Sequence, residues 1–295
     1  MDDKLSYLRV ILTEESNFSF LYLKSNVGSV VIDQDRQAMK IDDFKKIIEY
    51  FVKRGLKKIK FVGGEPLLYR GLSELVEYSR ELGIEEIGIT TNGIGLATRI
   101  IELKAKGLTN VNISLDSLKE YRYQALTDGG NLKEVFLSID ACIAAGINLK
   151  INCVAIKGFN DDELLDFMKM TINNDIDIRL IELLPYGLDK GVFDRGYLDI
   201  RQFLEYNVES VLKDKKDDLS ISEYFRIEGA KGRVGIITKD SREHKDDLRR
   251  INVSNRGYMN VGPVQRNEYF IKNMLDDKES LDDLIYKVTS EISIK

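Results

Sequence analysis

Residues 58–66 read KIKFVGGEP. In Lys58-Ile59-Lys60-Phe61 polar and apolar side chains alternate with the period of an extended strand, so Ile59 and Phe61 share one face and the two lysines the other. Gly63 and Gly64 follow as a tight turn, and the spacing of Leu72, Leu75 and Val76 beyond it is helical. The stretch is therefore a strand–turn–helix unit. Two lysines on one strand face require an anion or acidic partners if that face is enclosed, and nothing if it meets solvent.

The same unit recurs on both sides. Strand-like segments occupy 8–13 (LRVILT), 86–91 (EIGITT), 110–115 (NVNISL), 149–156 (LKINCVAI) and 177–183 (DIRLIEL). Between them lie helical stripes such as Phe44, Ile47, Ile48, Phe51 and Val52, and Leu164, Leu165, Phe167 and Met168. Gly55, Gly83, Gly107 and Gly146 each stand just before a strand, as helix stops do. The alternation predicts an α/β fold with a parallel sheet and outer helices, and about six units make a partial (β/α)6 barrel rather than a closed eightfold one. Near Pro185 the pattern changes. Helical stretches at 200–213 and 281–293 flank a hairpin at 223–238 (EYFRIEGAKGRVGIIT), and 239–250 (KDSREHKDDLRR) reads as exposed. The expected division is a barrel core over 1–187 and a C-terminal α+β extension over 188–295 that caps the barrel.

Composition narrows the function. With 44 Lys and Arg against 49 Asp and Glu the net charge is −5, so no global basic field recruits nucleic acid. No apolar run approaches the length of a membrane span, and the opening MDDKLSYLRV lacks a signal-peptide pattern. Cys142 and Cys153 are the only cysteines, which places the protein in a reducing cytoplasm. His244 is the only histidine and sits in a charge-dense run, a solvated surface position. That excludes zinc sites built on several histidines.

Ligands of parallel β/α folds bind at the carboxyl ends of the strands. Gly63, Gly64, Glu65 and Pro66 follow one strand, Thr91, Asn92 and Gly93 the next. Ser114 and Asp116, Lys157 and Glu182 mark three more strand ends. A lone GGEP is a turn; four strand ends with polar groups in register predict a ligand site.

The ordered series KKIKFVGGEPLL, TTNG, NVNISLDSL, NCVAIKGFNDDEL and IRLIELLPYG resembles the radical SAM GTP 3',8-cyclase family, molybdenum cofactor biosynthesis protein A. EGAKGRVGIIT and SNRGYMNVG are similar to the family's C-terminal hairpin and second cluster region, so the resemblance covers about residues 8–270. It implies a radical-SAM-type barrel with a cofactor site at Gly63, Gly64, Glu65, Pro66, Thr91, Asn92 and Ser114, where Glu65 approaches the amino group of S-adenosylmethionine (SAM). It implies a purine-triphosphate site at Arg9, Lys58, Lys60, Lys157 and Arg256. Tyr258 replaces an arginine that the family prefers.

The departures are as ordered as the matches. The family holds one iron–sulfur cluster on CxxxCxxC and a second on CxxC plus a distant cysteine. Ser16, Phe20 and Leu23 stand at the first set, Ile251, Ser254 and Glu268 at the second, and the family's Gly-Gly end is ISIK. Such a cluster requires three thiolates and an open iron for SAM. Cys142 on an apolar helix and Cys153 inside a strand are inert core residues. The expectation is no metal, no iron–sulfur cluster and no reductive cleavage of SAM, with Phe18, Phe20, Tyr22 and Leu23 filling the vacated space. What remains is a cluster-free relative that binds a purine triphosphate, SAM or both. The alternatives are a pseudoenzyme that regulates an active relative, a non-radical SAM- or nucleotide-dependent transferase or lyase, and a scaffold whose motifs are good turns. Glu65, Asp116 and Glu182 are the candidate acids and bases. Expected partners are a nucleotide and a second copy or related chain, with neither nucleic acid nor membrane.

Overall fold

The computed structural model describes residues 6–18, 38–185, 188–208, 211–213, 222–240, 250–262 and 267–293. Strands β1 (Tyr7–Ile11), β2 (Lys58–Val62), β3 (Glu86–Thr91), β4 (Asn110–Ser114), β5 (Asn148–Ala155) and β6 (Asp177–Glu182) lie side by side in chain order, all parallel. Helices α1 (Ile41–Val52), α2 (Leu72–Glu81), α3 (Ile100–Ala105), α4 (Glu120–Thr127), α5 (Leu132–Ala144) and α6 (Leu164–Asn173) fill the crossovers. The six β/α units expected from the alternation are present. Gly55 and Gly146 close α1 and α5 at φ +91° and +60°, conformations that favour glycine.

After β6 come α7 (Lys190–Gly196), α8 (Ile200–Asn207), β7 (Val211–Lys213), β8 (Glu223–Ile227), β9 (Arg233–Ile237), β10 (Arg250–Val253), β11 (Tyr258–Val261), β12 (Tyr269–Phe270) and α9 (Lys278–Ser293). The predicted hairpin forms as β8 and β9, and β9 joins β6 in parallel. From the opposite edge β10 joins β1 in parallel, followed by antiparallel β11 and β12. The described strands make one sheet in the order β12-β11-β10-β1-β2-β3-β4-β5-β6-β9-β8-β7. Residues from the second half of the chain thus extend both edges of the parallel sheet.

Two local expectations change. The helix predicted over 200–213 ends at Asn207, whose Nδ2 donates back to the Phe203 carbonyl, and β-branched Val208 is extended at φ −129°, ψ 108°. Residues 211–213 then pair with β8. At the end of the polar run, Arg250 is not an exposed loop residue but the first residue of β10, in register with Tyr7.

Alternation sorts the sheet into two unlike faces. Leu8, Val10, Ile59, Phe61, Ile87, Ile89, Val111, Ile113, Ile178 and Leu180 are buried against Phe44, Ile47, Ile48, Leu72, Leu75, Phe167 and their helix neighbours. Each such side chain is worth about 1.5–3 kcal/mol when buried, so the helix-covered face carries most of the stability. The other face is left for polar groups.

The glycine pair has a structural duty of its own. Gly64 N donates to the Thr13 carbonyl and Glu65 N to that of Glu15, prolonging the β1–β2 contact beyond the strands. A Cβ on Gly64 would stand 2.1 Å from the Glu15 carbonyl oxygen, a clash between two backbones. Gly64→Ala is therefore expected to destabilise the fold by about 3 kcal/mol, read as a lower urea midpoint. An unchanged midpoint would show that the 13–15 segment yields freely.

Candidate anion site in the barrel lumen

Residues 7, 9, 58, 60, 86, 110, 112, 150, 152, 177, 179, 233, 250 and 252 alternate with the apolar core and so face away from the helices. On the parallel strands this face carries seven cations, Arg9, Lys58, Lys60, Lys150, Arg179, Arg233 and Arg250, against two carboxylates, Glu86 and Asp177. The sheet curls around them. A flat sheet would hold Lys60 of β2 about 19 Å from Arg179 of β6, four strand spacings away. Yet the Arg179 guanidinium bears on the Lys60 ammonium, as Lys58 on the same strand does. Lys60 therefore looks across a lumen.

Both carboxylates are already engaged. Glu86 pairs with Lys58 at 2.7 Å. Asp177 takes Lys150 at 2.8 Å and both Nε and a terminal nitrogen of Arg233 at 2.9 and 2.8 Å, and these cations hold its carboxyl below the usual range despite burial. Arg9, Lys60, Arg179 and Arg250 meet no carboxylate among the described residues. Tyr224 on β8 organises this side. Its ring lies under Arg233 at 4.4 Å, Lys150 at 5.5 Å and Arg179 at 6.0 Å, and its hydroxyl accepts from Arg179 Nε at 2.8 Å. Desolvation, then Arg179, Lys58, Arg9 and Lys150, hold the Lys60 ammonium well below its ordinary value of 10.5. Burial and neighbouring Arg250 lower Arg9 in the same way.

Three buried polar atoms on this face also lack a partner among the described residues: Asn112 Oδ1, Asn152 Oδ1 and Arg250 Nε. Asn112 sits beside Lys150 in the β4–β5 register, and Asn152 beside Arg179 in that of β5–β6. A cation-rich lumen with orphaned hydrogen-bonding groups is built for a polar, negatively charged guest.

The sequence-predicted residues separate into three places. Arg9 and Lys60 lie in the lumen, in register with each other, with Lys58 at its rim on Glu86. Arg256 occupies the β10–β11 turn and pairs with Glu14 at 2.9 Å, and Lys157 is exposed beyond β5. Glu65, Thr91 and Asn92 form a closed network at the ends of β2 and β3. The buried Glu65 carboxylate accepts from Thr91 Oγ1 at 2.7 Å, Asn92 N at 2.8 Å and Leu67 N at 3.0 Å. Burial raises its pKa against those donors. Pro66 opens the short turn that Glu65 caps, and Asn92 Nδ2 donates to Asn17 Oδ1 at 2.6 Å. Ser114 is half-buried on the inner face. The other candidate acids are anchors too: Asp116 accepts from Val154 N at 2.7 Å, and Glu182 from Ile200 N at 3.2 Å and Lys239 N at 2.8 Å. Lys150, Arg179, Arg233, Arg250, Asn112, Asn152 and Tyr224 were not singled out from sequence. The strand alternation that places Lys58 and Lys60 on one face, applied to 149–156 and 177–183, finds three of them, Lys150, Asn152 and Arg179.

The residues at the cluster positions do not fit a thiolate-held group. Ser16 Oγ accepts from Phe18 N at 3.1 Å and donates to its carbonyl at 2.9 Å, closing its own turn. Ile251 is packed in the core, Ser254 Oγ accepts from Tyr258 N, and Glu268 is exposed. Cys142 and Cys153 are buried on the helix side of the sheet, where burial pushes the first thiol up to about 12 and the second upward as well. Among the described residues no group of His, Cys, Asp or Glu is placed to hold a metal ion. Phe18 packs edge-on against Tyr123 at 6.0 Å. Phe20, Tyr22, Leu23 and His244 lie outside the described residues.

Strand order, inner face and strand-end turns together define a radical-SAM-type barrel. The family profile of the Radical SAM superfamily matches residues 27–171. Among solved structures, that of Streptococcus suis SuiB bound to S-adenosylmethionine superposes with a TM-score of 0.65 at 16% identity, over 92% of this chain and 65% of SuiB. The GTP 3',8-cyclase of Peptoclostridium acidaminophilum is 33% identical over 288 residues, covering 93% of this chain and 88% of the relative. That of Listeria monocytogenes is 36% identical over 292 residues, covering 95% and 86%. The chain belongs to the GTP 3',8-cyclase family. No helix among the described residues is long and apolar enough to cross a membrane.

Proposed function

We propose that this family member binds a purine nucleoside triphosphate in the barrel lumen and performs no radical chemistry there. One observation carries the reading: among the described residues four inner cations, Arg9, Lys60, Arg179 and Arg250, stand without a carboxylate in a barrel of a chain whose net charge is −5. A triphosphate supplies the missing negative charge, and base and ribose supply groups for Asn112 and Asn152. The relatives' shared name, GTP 3',8-cyclase, makes GTP the first ligand to try. SAM is the second. Three of the roughly four lone-pair positions of the Glu65 carboxylate are used, which leaves one for an ammonium group. A radical route lacks its cluster ligands, since two core cysteines cannot supply three thiolates.

A regulatory or pseudoenzyme role is favoured over general acid–base catalysis by a specific feature. Glu65, Asp116 and Glu182 each hold backbone N–H groups, so none is poised as a base.

Calorimetric titration of GTP, ATP and SAM tests the reading. GTP is expected to bind with one site per chain and to take up a proton, because phosphate restores the depressed Lys60 ammonium. Affinity then rises as pH falls from 10.5 towards the ligand-free value of Lys60. Arg179→Ala should weaken binding by about tenfold or more, whereas Lys58→Ala, whose ammonium already has Glu86, should change it little. Absence of binding by all three compounds would leave the scaffold reading standing.

A further inference from the structure

The structure holds one amine in a setting that amine chemistry exploits. Lys60 projects from the middle of β2 into the lumen, and the Cβ-free Gly88 on β3 leaves space beside its Cε. The charged groups bearing on it are Arg9 from β1, Lys58 from its own strand, Lys150 from β5 and Arg179 from β6. The inner-face acids are both taken, Glu86 by Lys58 and Asp177 by Lys150 and Arg233. Lys60 is thus a partly buried amine among cations, with no carboxylate among the described residues to fix its proton. A lysine so placed is held towards its neutral, nucleophilic form.

We propose that Lys60 forms an imine with small aldehydes or 2-oxo acids that carry a carboxylate or phosphate. The inference rests on the reading of the lumen as an anion site. The Nζ lone pair attacks the carbonyl carbon while the carbonyl π electrons move to oxygen. A proton passes from nitrogen to that oxygen, giving a carbinolamine. Its hydroxyl leaves as water with one proton from solvent, and the C=N bond forms. Nothing is oxidised or reduced, and water reverses the sequence. The anionic substituent matters electrostatically. An iminium adds a positive charge to a lumen already crowded with them, and a carboxylate or phosphate on the same molecule brings the compensating charge within reach of Arg9 and Arg179.

The test is reductive trapping of glyoxylate by sodium cyanoborohydride at about pH 7, with the modified lysine located by peptide mass spectrometry. Each unit of pKa depression makes an amine about tenfold richer in its neutral form, so Lys60 is expected to be labelled at least about tenfold faster than the exposed lysines. Lys60→Arg, which cannot form an imine, should lose the label. Lys58→Met should keep the label. Adducts spread over surface lysines such as Lys157, with Lys60 unmodified, would overturn the proposal. A Lys60 adduct that excess GTP fails to suppress would uphold the amine and count against the nucleotide in the lumen.

Discussion

Replacing Lys60 by methionine is expected to raise the melting temperature of the ligand-free protein and, in the same variant, to weaken GTP binding by about 10- to 100-fold. The two effects have one cause. Lys60 is partly buried, meets no carboxylate among the described residues and is repelled by Arg179, Lys58, Arg9 and Lys150. Methionine fills much the same volume without the charge, so it removes the repulsion and the cost of keeping an ammonium from water. The gain depends on pH, with a definite sign. The folded-state pKa of Lys60 lies below 10.5, so the unfolded chain binds its proton first. The stability that Lys60 withdraws is absent above 10.5, grows as pH falls, and is complete below the folded value. Lys60→Met should therefore exceed the parent by more at about pH 6 than at about pH 10. Loss of a charge-assisted contact to phosphate is worth about 1.5–3 kcal/mol, about 10- to 100-fold in affinity. A variant that melted lower and bound GTP with the parent's affinity would show that Lys60 serves the fold.

Glu65→Ala is expected to act in the opposite direction on stability. The carboxylate is 1% exposed and satisfies two backbone N–H groups, of Leu67 and Asn92, besides the Thr91 hydroxyl. Its removal strands these donors at about 1–3 kcal/mol each, so a loss of about 3–5 kcal/mol should appear in denaturant unfolding. Glu65→Gln restores one acceptor oxygen but turns an amide NH2 towards a donor, and should recover only part of the loss. If Glu65 instead served only a ligand, Glu65→Ala would unfold at the parent's midpoint and differ from it in SAM binding alone.

These two residues mark how far sequence reasoning reaches. The strands were legible because one face of each is apolar without interruption: Ile59 and Phe61 on β2, Ile178 and Leu180 on β6. The partial barrel followed from that repetition. The inner face was harder to see. Alternating polar residues such as Lys150 and Asn152, or Asp177 and Arg179, ordinarily mark the solvent side of a strand. Only the curl of the sheet, which brings Arg179 to bear on Lys60, turns them inward. The family motif led to Glu65 as a ligand group; that its carboxylate also ties two strand ends together has no signal in the local sequence. The pairing of Arg256 with Glu14 and the docking of β10 on β1 join segments more than 200 residues apart, beyond any local pattern.

The account turns on whether the lumen holds a nucleotide, and a crystal structure of the protein grown with GTP addresses that most directly. It should show triphosphate density among Arg9, Lys60 and Arg179, with the Asn112 and Asn152 amides bonded to the nucleoside. A water-filled lumen at saturating GTP, or a nucleotide bound outside the barrel, would contradict it.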